Sequence, residues 1–212
     1  LRFRSDSANN SIVRKVAEDL SGRGVILLDA AEELRRRCPD GIAGLDLFLD
    51  HVHFDFTGNH ALAELLAHRV SQLLPASITG RSRSDRSWLS RDDCALELGY
   101  TAWNEHRIVL EIARRHEGPP YTLQADHAER SDYWKLRLVD LRARARMPAL
   151  ASSLEMAMRA AAARPGDWLR LKNLGGILEA AGRPGDATEL WRKVTRLVPQ
   201  YSNGWYHMGN LL

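Results

Sequence analysis

Residues 1–75 switch between two patterns of apolar positions. In residues 10–20 the apolar side chains recur every three to four positions, which predicts an amphipathic helix. The run Val25–Leu28 is short and continuously apolar, which is typical of a strand buried on both faces of a parallel sheet. An apolar stripe after Thr57, its expected N-cap, predicts another helix. Helix, strand, polar loop and helix together predict the closing part of an α/β sandwich, whose partner strands would come from residues outside this sequence or from another chain.

The rest of the chain has a helical pattern after a short break. Residues 76–89 are rich in Ser, Arg and Gly, a composition typical of a linker. From residue 90 onward the apolar residues return at helical spacing, and Gly118-Pro119-Pro120 is expected to end one of the helices. Residues 90–147 are therefore predicted to form a helical connector.

Residues 148–212 contain a repeat. Trp168–Tyr201 can be aligned as one unit of about 34 residues, and the next unit starts at Ser202. The unit has Gly175 at position 8, Ala187 at 20, Trp191 at 24 and Pro199 at 32. Small residues at positions 8 and 20 would let two helices approach closely, an aromatic residue would fill their groove, and proline would end the second helix. This pattern resembles tetratricopeptide (TPR) repeats and predicts an all-α helical solenoid; an unrelated helical hairpin is the alternative.

Composition and charge narrow the possible functions. The net charge of +3 is small and the basic residues are scattered, so nucleic-acid binding is not expected. The two cysteines, Cys38 and Cys94, form neither a disulfide framework nor a CxxC metal pair. No apolar run approaches the ~20 residues that a membrane span needs. The cellular location stays open.

The polar stretch before the helix of residues 57–73 contains the candidate chemistry. Asp50, His51, His53, Asp55 and His60 lie within a few positions of one another. Asp50 precedes His53 by three residues in a turn, so the chain can fold back and let the carboxylate accept the Nδ1 proton of His53. The Nε2 atom would then be available to deprotonate a serine.

The sequence DHVH followed by TGNHALAELLA resembles the last conserved block of the SGNH (GDSL-like) hydrolases. The resemblance implies that residues 1–75 are the C-terminal fragment of a three-layer α/β (SGNH/flavodoxin-like) domain. It also implies that His53 is the general base, that Asp50 orients it, and that a serine in an early block is the nucleophile. Phe54 replaces the proline that often follows this histidine. The serine block and the oxyanion-hole glycine and asparagine blocks of the family are missing from this sequence.

Two other interpretations of the polar stretch remain open. His51 and His53, with Asp50 or Asp55, have the spacing of paired metal ligands, although a further ligand would have to come from His60 or from outside this sequence. The stretch could also be an ordinary solvated loop, which is the favoured interpretation for His51 and His60. For Asp50 and His53 the hydrolase interpretation is favoured, with no metal and no cofactor.

The sequence therefore predicts part of a bacterial serine ester hydrolase joined to TPR repeats. The chain starts with Leu1 rather than Met and stops inside a repeat unit, so we expect a portion of a longer protein, inactive by itself. The substrate would be an ester-type small molecule, carbohydrate or lipid. The alternative is a non-catalytic scaffold that binds a protein or peptide on the concave face of the repeats.

Overall fold

The computed structural model describes residues 7–80 and 88–212, and in these ranges the chain forms α-helices without any β-strand. The helices are α1 (Ser7–Asp19), α2 (Ala30–Arg37), α3 (Phe56–Leu73), α4 (Ala76–Thr79), α5 (Arg91–Leu98), α6 (Ala102–His116), α7 (His127–Arg144), α8 (Leu150–Ala163), α9 (Trp168–Ala180), α10 (Pro184–Leu197) and α11 (Ser202–Asn210). The chain divides into two compact units, Leu1–Arg91 and Asp92–Leu212. They are called the N-terminal unit and the C-terminal unit below.

The predicted α/β fold is wrong for the described residues. The expected strand, Val25–Leu28, lies outside any helix or strand, and its first two side chains are 40% and 47% exposed rather than buried. A strand exists only as part of a hydrogen-bonded ladder, and the described residues offer Val25–Leu28 no partner strand. Periodicity alone could not reveal this, because it detects an apolar run but not a neighbour that pairs with it. The described chain is all-α.

The N-terminal unit has a small core between α2 and α3. Its buried members are Leu34, Cys38, Leu47 and Ala61. Burial, together with a hydrogen bond to Asp46, raises the pKa of the Cys38 thiol to about 11, so this cysteine packs as a neutral thiol. The Asp29 carboxylate caps α2 by accepting from the Glu32 N–H at 3.1 Å.

The predicted apolar face of α1 is largely open in the described structure. Ile12, Val13 and Val16 are each at least half exposed, and only Ala17 of this helix is buried. A salt bridge between Arg14 and Asp29 holds the helix to the segment before α2. The spacing of the apolar residues correctly predicts a helix here, but the burial expected of its apolar face is not found.

The C-terminal unit has one larger core. Helices α8, α9, α10 and α11 each pack against the next, while α6 pairs with α7. A Cβ atom on Gly175 would lie 3.1 Å from Cε2 of Trp191, so the two helices of the α9–α10 hairpin meet where the repeat pattern places its small and aromatic residues. Helix α10 ends at Leu197, two residues before Pro199. The close approach of Gly175 to Trp191 agrees with positions 8 and 24 of the alignment, while the assignment to TPR repeats stays a prediction.

The turn before α6 is joined to α9 by side-chain amides. The Nδ2 group of Asn173 donates to the Gly99 carbonyl at 2.6 Å, and the Nδ2 group of Asn104 donates to the Asn173 side-chain oxygen. The Thr101 N–H donates to Asn104 Oδ1 at 2.9 Å. This chain of hydrogen bonds satisfies part-buried polar groups and fixes the turn before α6 onto α9.

The predicted linker is helical over its first residues. Residues 76–79 of the linker form α4, while its residues 81–87 lie outside the described ranges.

Throughout residues 7–80 and 88–212, each helix is either too short or too polar to cross a bilayer.

Candidate functional site

The candidate site is a tight loop between α2 and α3, in the N-terminal unit. Its two ends are joined by backbone hydrogen bonds: the Leu49 N–H donates to the His53 carbonyl at 2.8 Å, and the Asp55 N–H donates to the Leu47 carbonyl at 2.9 Å. Phe48 and Phe54 form an isolated antiparallel bridge, and their ring centroids lie 4.4 Å apart. Residues 49–53 are therefore pinned at both ends.

Asp50 is the buried anchor of this loop, with its side chain fully removed from solvent. Its Oδ1 atom accepts from the N–H groups of Val52 at 2.8 Å and His53 at 2.7 Å. Two residues of the turn are thus held by one carboxylate oxygen, an arrangement that aspartate forms readily in turns. The chain folds back here because the Asp50 side chain accepts hydrogen bonds from two backbone N–H groups that have no backbone acceptor in the turn.

The second oxygen of Asp50 holds the imidazole of His53, with Oδ2 and Nδ1 2.7 Å apart. Burial by itself raises the pKa of Asp50, but the donors from Val52 and His53 outweigh it, so this pKa lies below its ordinary value of 3.8. The carboxylate is therefore ionised at neutral pH, and it selects the tautomer of His53 that carries its proton on Nδ1.

The imidazole of His53 remains accessible on its other side. Its side chain is 54% exposed, and its Nε2 atom makes no hydrogen bond to any residue in the described ranges. An Nδ1–H imidazole has a lone pair on Nε2, which can accept a proton. The pair can thus act as an oriented general base. No serine hydroxyl among the described residues donates to it.

The structure brings together the two residues predicted to be catalytic, although the secondary structure around them differs from the predicted one. The predicted contact between the Asp50 carboxylate and Nδ1 of His53 is present, whereas the strand expected before it is replaced by the isolated bridge. Asp55, and not Thr57 as predicted, caps α3, because its Oδ1 accepts from the Gly58 N–H at 2.7 Å. The catalytic role of Asp50 and His53 stays a prediction.

The other polar residues of the stretch are used differently. The Nε2 atom of His60 lies 3.1 Å from the Leu89 carbonyl, within hydrogen-bond distance. The carboxylate of Asp55 is committed to its helix cap, and Nδ1 of His53 to Asp50. In the described part of the chain, no group of three or more His, Cys, Asp or Glu side chains is placed to hold a metal ion. The paired-ligand interpretation therefore has no assembled site in these residues.

Gly58 is a residue of this site that the sequence interpretation missed. It lies in the first turn of α3, and a Cβ atom there would be 2.3 Å from the Leu47 carbonyl oxygen. Glycine lowers helix stability by roughly 1 kcal/mol relative to alanine, so a glycine inside a predicted helix is a signal, although a weak one, of a close backbone approach. That signal was available in the sequence.

Comparisons with protein-family models, with curated proteins and with solved structures found no match to this chain. The resemblances to SGNH hydrolases and to TPR repeats therefore depend on sequence motifs alone, and membership of either family stays a prediction.

Proposed function

We propose that Asp50 and His53 are the orienting acid and the general base of a Ser-His-Asp triad in an SGNH-like ester hydrolase. The observation that supports this proposal is the 2.7 Å contact between the buried Asp50 carboxylate and Nδ1 of a half-exposed imidazole. The serine would lie outside this sequence, since the family's serine block is missing from it.

The proposed reaction uses the two ring nitrogens of His53 for different tasks. As the serine oxygen attacks the ester carbonyl, Nε2 takes the hydroxyl proton, and the Asp50 carboxylate stabilises the imidazolium that forms. The tetrahedral intermediate collapses, and Nε2 returns the proton to the leaving alkoxide. Water then attacks the acyl-enzyme through the same base, which releases the acid and restores the serine.

The substrate class follows from the family resemblance rather than from the site. An ester of a small molecule, a carbohydrate or a lipid would suit this chemistry. Triad residues act as a unit, so a chain that lacks the nucleophile is expected to have almost no turnover by itself. Activity should therefore be sought in the full-length product of the reading frame that encodes this sequence.

Labelling with a fluorophosphonate probe tests this proposal on the full-length product. The probe phosphonylates only a serine that a base has activated, so the wild type should be labelled on one serine. His53→Ala should abolish labelling, and Asp50→Asn should slow it by up to ~10⁴-fold through loss of the correct tautomer. His68→Ala, an exposed histidine of α3, is the matched control and should label like the wild type. An unlabelled wild type, or equal labelling of the wild type and His53→Ala, would overturn the proposal.

A second candidate function is a protein-binding scaffold. It is favoured by the sequential packing of α8 to α11 and by the contact of Gly175 with Trp191, both of which TPR repeats would make. In this alternative the repeats bind a protein or peptide and the Asp50–His53 pair does no chemistry.

Site-specific photo-crosslinking tests the scaffold directly. Leu169 and Tyr206, on the first helices of two successive units, are 54% and 66% exposed and would carry the photo-reactive side chain. The scaffold predicts that both positions trap the same protein, while the exposed Met147, outside the repeat helices, does not. Trapping of unrelated proteins at the three positions would count against it.

A further inference from the structure

We infer that Gly58 is a positioning residue for the Asp50–His53 pair, because only glycine lets the first turn of α3 lie directly against the carbonyl that closes the site loop. The geometric part of this inference stands independently, while its consequence for catalysis depends on the proposed function.

The available space at residue 58 is smaller than any side chain. A Cβ atom there would lie 2.3 Å from the Leu47 carbonyl oxygen and 2.5 Å from Cδ1 of Phe54, whereas real Cβ atoms essentially never come closer than 3.0 Å. A long, flexible side chain could rotate away, but the carbonyl of Leu47 is part of the backbone. Any substitution at this position must therefore move the loop or the helix.

The atom that Gly58 touches is also the atom that closes the loop. The Leu47 carbonyl accepts from the Asp55 N–H at 2.9 Å, and the Asp55 side chain in turn accepts from the Gly58 N–H at 2.7 Å. Loop end, helix cap and glycine thus form one continuous set of contacts. A methyl group at residue 58 would strain the Leu47–Asp55 hydrogen bond, which holds the loop at its base.

The second atom close to residue 58, Cδ1 of Phe54, belongs to the neighbour of His53 in the chain. Phe54 follows His53 in the chain, and its ring packs on Phe48 across the loop. Displacing Phe54 would shift the backbone of His53, which donates to Asp50 Oδ1 and accepts from the Leu49 N–H. Gly58 therefore acts on the pair through both ends of the loop without touching either catalytic side chain.

Gly22 provides a matched control within the same unit. A Cβ atom on Gly22 would meet nothing within 4 Å, and its backbone does not have the left-handed conformation that favours glycine. Gly22→Ala and Gly58→Ala add the same methyl group, one into open space and one against a backbone carbonyl.

The tautomer of His53, measured by ¹⁵N NMR of the ring nitrogens in the 212-residue chain, tests the positioning role. At a pH where the imidazole is neutral, the wild type and Gly22→Ala should show the Nδ1–H form at His53, assigned by loss of its signal in His53→Gln. Gly58→Ala should lose this form and show Nε2–H as the main species, because the Asp50 carboxylate no longer reaches Nδ1. A folded Gly58→Ala protein that keeps the Nδ1–H form would overturn the inference.

A second pair of variants tests the contact with the Leu47 carbonyl alone, after the ring of Phe54 has been removed. Phe54→Ala removes the ring contact and should keep the Nδ1–H tautomer, since glycine remains at position 58. Phe54→Ala/Gly58→Ala retains the clash with the Leu47 carbonyl and should lose that tautomer. If the double variant keeps it as well as Phe54→Ala does, the carbonyl contact does not position the pair.

Kinetics of the full-length product separate this inference from the proposed function. Gly58 does not contact substrate, so Gly58→Ala should lower kcat about 10²-fold, as a misplacement of ~1 Å can, with KM nearly unchanged. An inactive wild type that nevertheless shows the Nδ1–H form, lost in Gly58→Ala, would sink the hydrolase proposal and leave the positioning role standing. Unchanged kcat in Gly58→Ala would overturn the positioning role in an active enzyme.

Discussion

The two compact units of this chain are stabilised in different ways. The C-terminal unit buries twelve residues in its main cluster, whereas the described residues of the N-terminal unit form a cluster of four. Helices α9 and α10 bury apolar side chains against each other, while α1 leaves most of its apolar face exposed. Apolar burial contributes about 25 cal/mol per Å², so the larger cluster should make the C-terminal unit the more stable of the two.

The candidate site lies in the unit with the smaller core. Its geometry is specified by hydrogen bonds: one carboxylate of Asp50 takes two backbone N–H groups and an imidazole, and two backbone bonds close the loop. Such bonds are directional, and each contributes about 1 kcal/mol net. Local order in the site therefore does not require a large core, provided that buried polar groups find partners.

Removing the central aromatic residue of the larger core should have the largest effect. Trp191 is 2% exposed and packs against Gly175, so Trp191→Ala should lower the free energy of unfolding of the C-terminal unit by about 3–5 kcal/mol. Denaturant unfolding followed by circular dichroism measures this change. Trp205→Ala, which removes a half-exposed indole from the same unit, should lower it by less than about 1.5 kcal/mol.

Leu→Ala at an equally buried position in each unit should destabilise the two units to different extents. Leu178 and Leu34 are 4% and 5% exposed, so the free energy of transferring each side chain from water into the core is nearly equal. Leu→Ala in a core lowers the free energy of unfolding by about 2–5 kcal/mol, and the value depends on how far the surroundings collapse into the cavity. We expect Leu178→Ala near the upper limit and Leu34→Ala near the lower one. Hydrogen exchange followed by peptide mass spectrometry reports each unit separately, and a larger loss for Leu34→Ala would contradict the comparison.

Sequence patterns predicted local structure better than partners in space. The helix at residues 10–20, the hairpin with Gly175 opposite Trp191, and the contact of Asp50 with His53 all depend on spacing within a short stretch, and the structure shows them. Each is set by geometry over at most a few helical turns. Short-range spacing is what a single sequence records most directly.

The failures concern contacts with distant residues. Val25–Leu28 has the composition of a buried strand, but a strand needs a neighbour, and composition does not supply one. Gly58 was missed for a related reason: its constraint comes from the Leu47 carbonyl, eleven positions earlier in the chain. The cap of α3 was misplaced by two residues because Asp55 and Thr57 are both good capping residues and only the backbone decides between them.

Replacing the anchor of the site tests its hydrogen-bonded order. Asp50→Asn should lower the free energy of unfolding of the N-terminal unit by about 1–3 kcal/mol at neutral pH, because charged hydrogen bonds are lost from a buried group. Hydrogen exchange in residues 47–55 measures it. Asp46→Asn, which replaces an exposed carboxylate of the same unit, is the control and should leave exchange in residues 49–53 largely unchanged.

The pH dependence of Asp50→Asn has a definite sign. Folding lowers the pKa of Asp50, so its carboxylate stabilises the fold at pH values above the ordinary 3.8, and this contribution is lost as the pH falls through the lower value of the folded state. Asparagine does not titrate in this range. The difference in stability between the wild type and the variant should therefore shrink as the pH drops below 3.8, and a difference that grows there would contradict the assigned shift.

The smallest expected effect concerns the surface contact between α2 and α3. Arg37 and Glu64 form a 2.6 Å salt bridge, but both side chains are 40% exposed, so solvent screens their attraction. Arg37→Gln should lower the free energy of unfolding of the N-terminal unit by only about 0.2–1 kcal/mol, and less at high salt. Arg23→Gln removes the same charge from an arginine with no ion pair to a described residue and should change it even less. A loss well above that range for Arg37→Gln would mean that the ion pair, rather than the small apolar core, holds α2 against α3. The two units would then differ in the type of interaction that stabilises them as well as in the size of their cores.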